Sequence, residues 1–176
     1  TGQQSSIQVK LMRQNSLATT SPDEVVAFGK RLDDLIRQGS GAESAIKSLQ
    51  KELGAIKQTL LRSSASQELR DKARALELEV MNLQLQLSGD EARDLAGDLG
   101  PVSVQRRVMV ARFGTSFSTY GPAPMHEQSL EIAEQGFAGI KAALDRIFNT
   151  DMPALRKAMD DAGVPWTPGR GVPAEN

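Results

Sequence analysis

The chain has 176 residues, no cysteine and a formal net charge of −1, with 24% charged and 4% aromatic residues. This length suits one domain with a sizeable core, and the near-neutral charge gives no electrostatic argument for binding nucleic acid or an anionic membrane. The lack of cysteine excludes disulfides, thiolate metal sites and cysteine nucleophiles, and without a run of about 18 apolar residues or a basic-then-apolar start neither a membrane span nor a signal peptide is expected.

Residues 1–20 are predicted to hold a short strand followed by a linker. Ile7, Val9 and Leu11 alternate with more polar neighbours, and alternation with a period of two is typical of a half-buried strand. No second segment with this pattern follows. The pairing partner of the strand is therefore expected to lie outside the chain.

Two helices are predicted between residues 21 and 62. Ser21-Pro22-Asp23-Glu24 combines an N-cap, a proline in the first turn and a glutamate three residues after the cap, which is typical of a helix start. The first helix is expected to end around Gln38–Gly41, where glycine suits a helix end, and Ser40 is expected to open the second. The second helix, about Ala42 to Arg62, has a heptad seam of Ile46, Leu49, Leu53, Ile56 and Leu60.

A third helix is predicted to form an antiparallel hairpin with the second. It follows a turn at Ser63–Ser66 and ends at Ser88-Gly89, and two long helices with matched seams and a short turn pack side by side. Its seam comprises Leu69, Ala73, Leu76, Val80, Leu83 and Leu87. Ser88 with Glu91 forms a further capping pattern, so a short helix is expected over Asp90–Ala96.

A fourth long helix is predicted from Ser103 to about Phe117. Both its Val104–Val108–Ala111 face and its Phe113–Phe117 face are apolar, so both could be buried. Tyr120–Pro124 is expected to be a rigid connector, because two prolines remove backbone donors and restrict the residues before them. The helix that follows, about His126 to Phe148, has the seam Leu130, Ala133, Phe137, Ile140, Leu144 and Ile147.

A last helix is expected to be capped by Thr150 or Asp151, to carry Pro153 in its first turn and to end at Gly163. Gly136 and Gly139, inside the preceding helix, would each cost about 1 kcal/mol relative to alanine. Close approach of another helix is expected to offset that cost. Together the elements predict an all-α antiparallel up-down bundle of four to five helices at 21–163, flanked by the strand-like segment 1–20 and an extended Pro-rich tail at 164–176.

No catalytic, cofactor-binding or metal-ligating residue is predicted. His126 is the only histidine, so a His-based metal site or a Ser-His-Asp arrangement would depend on one residue beside a proline-rich turn, and a solvated position in a first helical turn is favoured. Neighbouring carboxylates such as Asp33 and Asp34 point in different directions on a helix and do not converge on one substrate atom.

The candidate interaction residues are Trp166, Arg170, Tyr120 and Arg106. Trp166 lies between two prolines and is interpreted either as an anchor on the bundle, which is favoured, or as a contact for another domain. Arg106 forms a small basic cluster with Arg107 and Arg112, and ion pairing with neighbouring helices is favoured over a phosphate or an acidic partner.

The order of these features resembles a known family. The features are the Val-Lys-Leu strand end, the helical hairpin, Pro101-Val102-Ser103 with Arg106, Ser118-Thr119-Tyr120-Gly121-Pro122-Ala123-Pro124, Asp151-Met152-Pro153-Ala154-Leu155 and Ala162-Gly163-Val164-Pro165-Trp166-Thr167-Pro168-Gly169-Arg170. They are similar to the C-terminal helical region of bacterial secreted proteins with sortilin-type or BNR (Asp-box) repeats, often described as glycosyl hydrolase-like. The resemblance covers nearly all of the chain, and its most specific parts are the turn at 121–124 and the ending at 165–170.

The resemblance implies that a β-propeller and an immunoglobulin-like sandwich precede the helical region. The strand-like segment would then be a remnant of that sandwich, and any hydrolase residues would lie outside the chain. The predicted function is a non-catalytic C-terminal module of a larger extracytoplasmic protein, for domain packing, assembly or partner binding with the upstream domains of the same polypeptide. Two alternatives remain open: a self-associating coiled-coil domain that forms a homo-oligomer through a helical seam, and a part of a glycan-acting hydrolase.

Overall fold

The computed structural model describes residues 6–7, 20–98, 100–116 and 120–164, and within these ranges the chain is helical and contains no strand. The helices are α1 Pro22–Leu61, α2 Gln67–Ser88, α3 Glu91–Leu95, α4 Val104–Ser116, α5 Pro124–Arg146 and α6 Met152–Asp161, with a π-helical turn at Ile147–Asp151 joining the last two. The prediction of an all-α antiparallel bundle is confirmed. Of the predicted strand only Ser6 and Ile7 are described, and both are exposed and not in a strand. The tail beyond Val164 lies outside the described residues.

The helices pack as three side-by-side columns. α1 forms the first column, α2 followed by α4 the second, and α5 with α6 the third. The turn after α1 reverses the chain, so α2 runs back along the second half of α1. Gln105 near the start of α4 hydrogen-bonds Glu43 in the middle of α1 at 3.3 Å. α4 therefore continues along the first half of α1 in the direction of α2.

The third column runs the whole length of the first. Arg31 of α1 pairs with Glu134 of α5, and Arg156 of α6 pairs with Glu52 of α1. Because the chain passes along the bundle three times, it enters at one end and leaves at the other. Thr20 lies at the first of these ends and Val164 at the second.

The predicted helix break at Gln38–Gly41 is wrong, because α1 is one continuous helix of 40 residues. Gly39 and Gly41 do not adopt a positive φ, and Ser40 does not cap a new helix but donates its hydroxyl to the carbonyl of Ile36 at 3.0 Å. Gly39 occupies the seam position between Leu35 and Ala42, which are both buried. Burial of each large seam residue stabilises the helix by about 1.5–3 kcal/mol, which outweighs the cost of about 1 kcal/mol for each glycine.

The predicted hairpin of the second and third helices is confirmed as the second half of α1 packed on α2. All the predicted seam residues of these two segments are buried except Leu76, which is partly buried. Ser66 caps α2 by accepting a hydrogen bond from the amide of Leu69. The short helix after α2 also forms, but its N-cap is Asp90 and not Ser88, because the Asp90 carboxylate accepts the amides of Ala92 and Arg93.

The predicted burial of two faces on α4 is only partly right. Val104 and Ala111 are buried and Val108 is partly buried on one face, whereas Phe113 on the other face is 52% exposed. Phe117 lies outside the described residues. α4 packs on α1, α2 and α5, and the face with Val104 and Ala111 is the one that these contacts bury.

The seam predicted on α5 is confirmed, and all six of its residues are buried. The prediction of tight packing holds for Gly136, where an added Cβ would lie 3.3 Å from Val104 of α4. It is wrong for Gly139, where an added Cβ would meet no atom within 4 Å. Gly139 lies on the solvent side of α5, beyond the reach of the second column.

The last predicted helix forms without a cap at Thr150 or Asp151, which is a further correction. The backbone stays helical through the π-helical turn, and Asp151 pairs with Arg146 at 3.0 Å instead of capping. Pro153 explains the turn: proline has no amide donor and its ring clashes with the carbonyl four residues earlier, and a wider helical turn relieves both effects. α6 ends as predicted at Gly163, whose φ of +63° lets the amide of Val164 bond the carbonyl of Met159.

Candidate functional site

A cavity lies where the second column is interrupted between α2 and α4. Its volume is about 540 Å³, within the range of roughly 300–1,000 Å³ that small-molecule sites occupy. We call it the junction pocket. One wall is the end of α2 with the segment 89–103, and the other is the middle of α5. Its lining includes Leu85, Asp90, Arg93, Asp94, Arg106, Arg107, Val104, Ile132, Gly136 and Ile140.

Sequence-local pairing fixes two of the three arginines of this pocket. Arg93 binds Asp98 at 2.7 Å, and Arg106 binds Asp94 at 3.3 Å. These pairs hold the segment 89–103 against the start of α4. The guanidinium of Arg107, which is half-buried, has no ion-pair or hydrogen-bond partner among the described residues.

The start of α4 adds partial positive charge to the same pocket. Ser103 is buried and its hydroxyl accepts the amide of Arg106 at 3.3 Å. The first turn of α4 contains no acidic residue. The positive end of the helix dipole is therefore not offset by a carboxylate on its own helix.

The connector at Tyr120–Pro124 closes the Thr20 end of the bundle. Thr20 donates its amide to the carbonyl of Tyr120 at 3.2 Å and its hydroxyl to the carbonyl of Pro122 at 3.4 Å. Gly121 has a φ of +86°, and a Cβ there would lie within 2.8 Å of Thr20. Only glycine fits this turn without strain, so the connector packs closely on the residue before α1, and its predicted rigidity stays a prediction.

His126 has a structural contact rather than a purely solvated position. Its Nδ1 accepts the amide of Ala123 at 2.9 Å, which satisfies a free donor at the start of α5. The imidazole packs on Gly114 of α4, where an added Cβ would lie 2.5 Å from the ring. No sequence pattern indicates this contact, because it joins residues on two different helices.

The structure separates the candidate interaction residues. Arg106 lines the junction pocket, whereas Tyr120 and His126 lie at the Thr20 end and do not line it. Gly114, which contacts His126, is eight residues from Arg106, or about 12 Å along a helix. Tyr120 is 42% exposed. Trp166 and Arg170 lie outside the described residues, so their predicted contacts stay predictions.

Ion pairs between helices tie the columns together, and three of them join α1 to α6, α5 and α2. Arg156 binds both carboxylate oxygens of Glu52, at 2.7 and 2.8 Å, and this hydrogen bonding raises the pKa of Arg156. The bond between Arg31 and Glu134 likewise raises the pKa of Arg31. Lys57 donates to both oxygens of Glu77, at 2.9 and 3.0 Å, and lowers the pKa of Glu77. These pairs fix the register of α1 against its neighbours.

An apolar stripe on the outside of α2 is not used by the core. Leu78, Met81 and Leu85 recur at steps of three and four, and their side chains are 49%, 49% and 46% exposed. We call these three residues the outer stripe. A second apolar stripe on a helix that already buries one face is a typical feature of contact surfaces between proteins.

In the part of the chain that the structure describes, no helix is long and apolar enough to cross a bilayer. Within the same ranges no group of three or more histidine or acidic side chains is placed to hold a metal ion. No protein-family model, no curated protein and no solved structure matches this chain.

Proposed function

We propose that this chain is a non-catalytic helical module for domain packing, assembly or partner binding within a larger extracytoplasmic β-propeller protein. The observation that supports the packing role is the separation of Thr20 and Val164 at opposite ends of the bundle. α1 contains 40 residues, which corresponds to about 60 Å at 1.5 Å per residue. A bundle of this form holds whatever precedes and follows it at a fixed distance.

The continuity of α1 supports a rigid spacer. The second column is interrupted at the junction pocket, and the third contains a π-helical turn. Neither weak point can act as a hinge unless α1 also bends, because α1 passes both of them without a break. The middle of α1 is buried at Ala42, Ile46 and Leu49, and bending there would expose that seam.

Partner binding would use the outer stripe. The side chains of the outer stripe are about half-exposed, so a partner helix that covers them would bury their apolar surface without any rearrangement of the core. The extracytoplasmic location and the upstream propeller rest on the family resemblance. The natural partner in this proposal is the upstream part of the same polypeptide.

Small-angle scattering of the isolated chain tests the spacer role. A rigid rod gives a maximum dimension of at least about 60 Å, and Gly41→Pro, which interrupts α1, should broaden the distribution of dimensions, whereas Gly41→Ala should not. A compact particle with no dimension near that length would contradict the proposal. The coding sequence upstream of residue 1 tests the placement: propeller repeats support it and an unrelated neighbour contradicts it.

Self-association is the second candidate function, and the outer stripe is the observation that favours it. Leu83 is buried and Leu76 is partly buried against the intramolecular core, so polar substitutions there would disturb folding rather than report on a dimer. Met81→Glu is the sharper test, since it alters only the exposed stripe. A dimer that light scattering detects for the wild type and not for this variant would support self-association.

A hydrolase part with its catalytic residues outside the chain is the third candidate, and it rests on the resemblance alone. The isolated chain would then turn over no glycan substrate without the upstream region. Turnover by the isolated chain that His126→Ala abolishes would contradict the non-catalytic proposal.

A further inference from the structure

We propose that the junction pocket binds a small amphipathic organic anion, whose acidic head pairs with Arg107 and whose apolar part lies on Val104, Ile132 and Ile140. The proposal goes beyond the spacer role and does not depend on the module's place in a larger protein. It stands on the position of Arg107, which has no ion-pair partner among the described residues, and on the chemistry of the pocket floor.

The ion pairs of the pocket leave Arg107 without a counter-ion among the described residues. The lining contains two acidic residues, Asp90 and Asp94, and three arginines. The Asp90 carboxylate accepts the amides of Ala92 and Arg93 at the start of α3, and Asp94 is paired with Arg106. Arg93 is paired with Asp98, which lies outside the lining. Arg107 is therefore the only charged side chain of the pocket without a described partner.

The position of Arg107 distinguishes it from an ordinary surface arginine. Arg107 is half-buried beside the start of α4, so water screens its charge less than that of a fully exposed arginine. The helix dipole of α4 points its positive end at the same region, and no acid in the first turn offsets it. An anion in the pocket would meet both sources of positive potential.

The floor of the pocket explains why the ligand must also be apolar. Ile140 and Val104 are 1% and 8% exposed, and Ile132 above them is 38% exposed. Gly136 lies between the two isoleucines on α5 and lines the pocket without adding a side chain to it. A hydrated inorganic anion would leave this floor empty, whereas a short alkyl or aryl group would cover it.

Titration with hexanoate, followed through the backbone amides by NMR, tests the proposal. Hexanoate should shift the amide signals of the lining glycines Gly89, Gly100 and Gly136, and acetate and 1-hexanol, which supply the head alone and the tail alone, should each bind about tenfold more weakly. Arg107→Gln should also weaken hexanoate binding about tenfold. Arg62→Gln removes the same charge from an exposed residue outside the pocket and should leave the affinity unchanged.

Ile132→Glu provides a second variant, because it places a carboxylate at the mouth of the pocket and should abolish binding if the helical circular dichroism signal is retained. Equal affinity of the wild type and Arg107→Gln would overturn the proposal. So would shifts confined to amides outside the pocket, or inorganic sulfate binding as tightly as hexanoate, which would indicate general attraction to surface cations.

Discussion

Replacing the glycines in the middle of α1 by alanine should stabilise the protein. Gly39 and Gly41 lie inside a continuous helix, adopt no positive φ, and an added Cβ would meet no atom within 4 Å at either position. Alanine is favoured over glycine in a helix interior by about 0.8–1.0 kcal/mol. Each single variant should therefore raise the free energy of unfolding by about 1 kcal/mol, and the double variant by about 2 kcal/mol.

Urea denaturation followed by circular dichroism measures this effect, and in a chain of this size a gain of 1 kcal/mol raises the melting temperature by about 2–4 °C. Gly163→Ala is the matched control. Gly163 has a φ of +63° at the end of α6, so alanine there should lower stability by about 1 kcal/mol. If α1 were two helices joined at residues 38–41, a glycine at the joint would adopt a positive φ as Gly163 does, and alanine there would lower stability. A loss of stability in both Gly39→Ala and Gly41→Ala would therefore refute the continuous helix.

Three further predictions test other parts of the bundle. Gly114→Ala should lower the free energy of unfolding, measured by urea denaturation, by about 1–3 kcal/mol, since its Cβ would overlap the ring of His126. Adding His126→Ala should recover part of that loss. A Gly114→Ala variant as stable as the wild type would contradict the packing. Met81→Glu should change the unfolding free energy by less than about 0.5 kcal/mol, because the side chain is 49% exposed, and a larger loss would place Met81 in the core. The hydrogen bond from Lys57 lowers the pKa of Glu77 below its usual value of 4.5. The pair therefore stabilises the fold above pH 4.5, and this contribution disappears as the pH falls through the folded pKa. Glu77→Gln should lose less stability on acidification than the wild type, and parallel pH profiles of the two proteins would contradict the pair's contribution.

The seams of the bundle could be predicted from the sequence because they depend on local periodicity. Steps of three and four residues place one apolar face on each helix, and the buried residues of α2 and α5 follow that pattern. The helix start at Ser21 and the helix end at Gly163 could be predicted for the same reason, since a cap acts within a few residues.

The two wrong helix boundaries have a common cause. Gly39 and Gly41 are local signals for a helix end and Pro153 is one for a helix start, but each is worth only about 1–3 kcal/mol. Packing of a long helix on two neighbours exceeds that cost, so the helix continues through the glycines and accommodates the proline with a π-helical turn. Tertiary burial is not visible in a window of ten residues.

The junction pocket could not be predicted, because it depends on the meeting of segments far apart in sequence. Arg107 looked equivalent to its neighbour Arg106 in the sequence, and only the pairing of Arg106 with Asp94 in the fold distinguishes them. Gly136 offered a partial signal, since a glycine inside a helix indicates a close approach. Gly139 had the same signal without such an approach, so the pattern alone could not place the cavity.

A distance between spin labels at positions 30 and 51 tests the central claim most directly. Lys30 and Lys51 are exposed on α1, and the chain has no cysteine that would compete for labelling. A continuous helix separates the two positions by 21 residues, or about 32 Å along the axis, and the three-column bundle predicts a single distance distribution near that value. Two helices folded back on each other at residues 38–41 would bring the labels within about 10–15 Å, and that result would contradict the account.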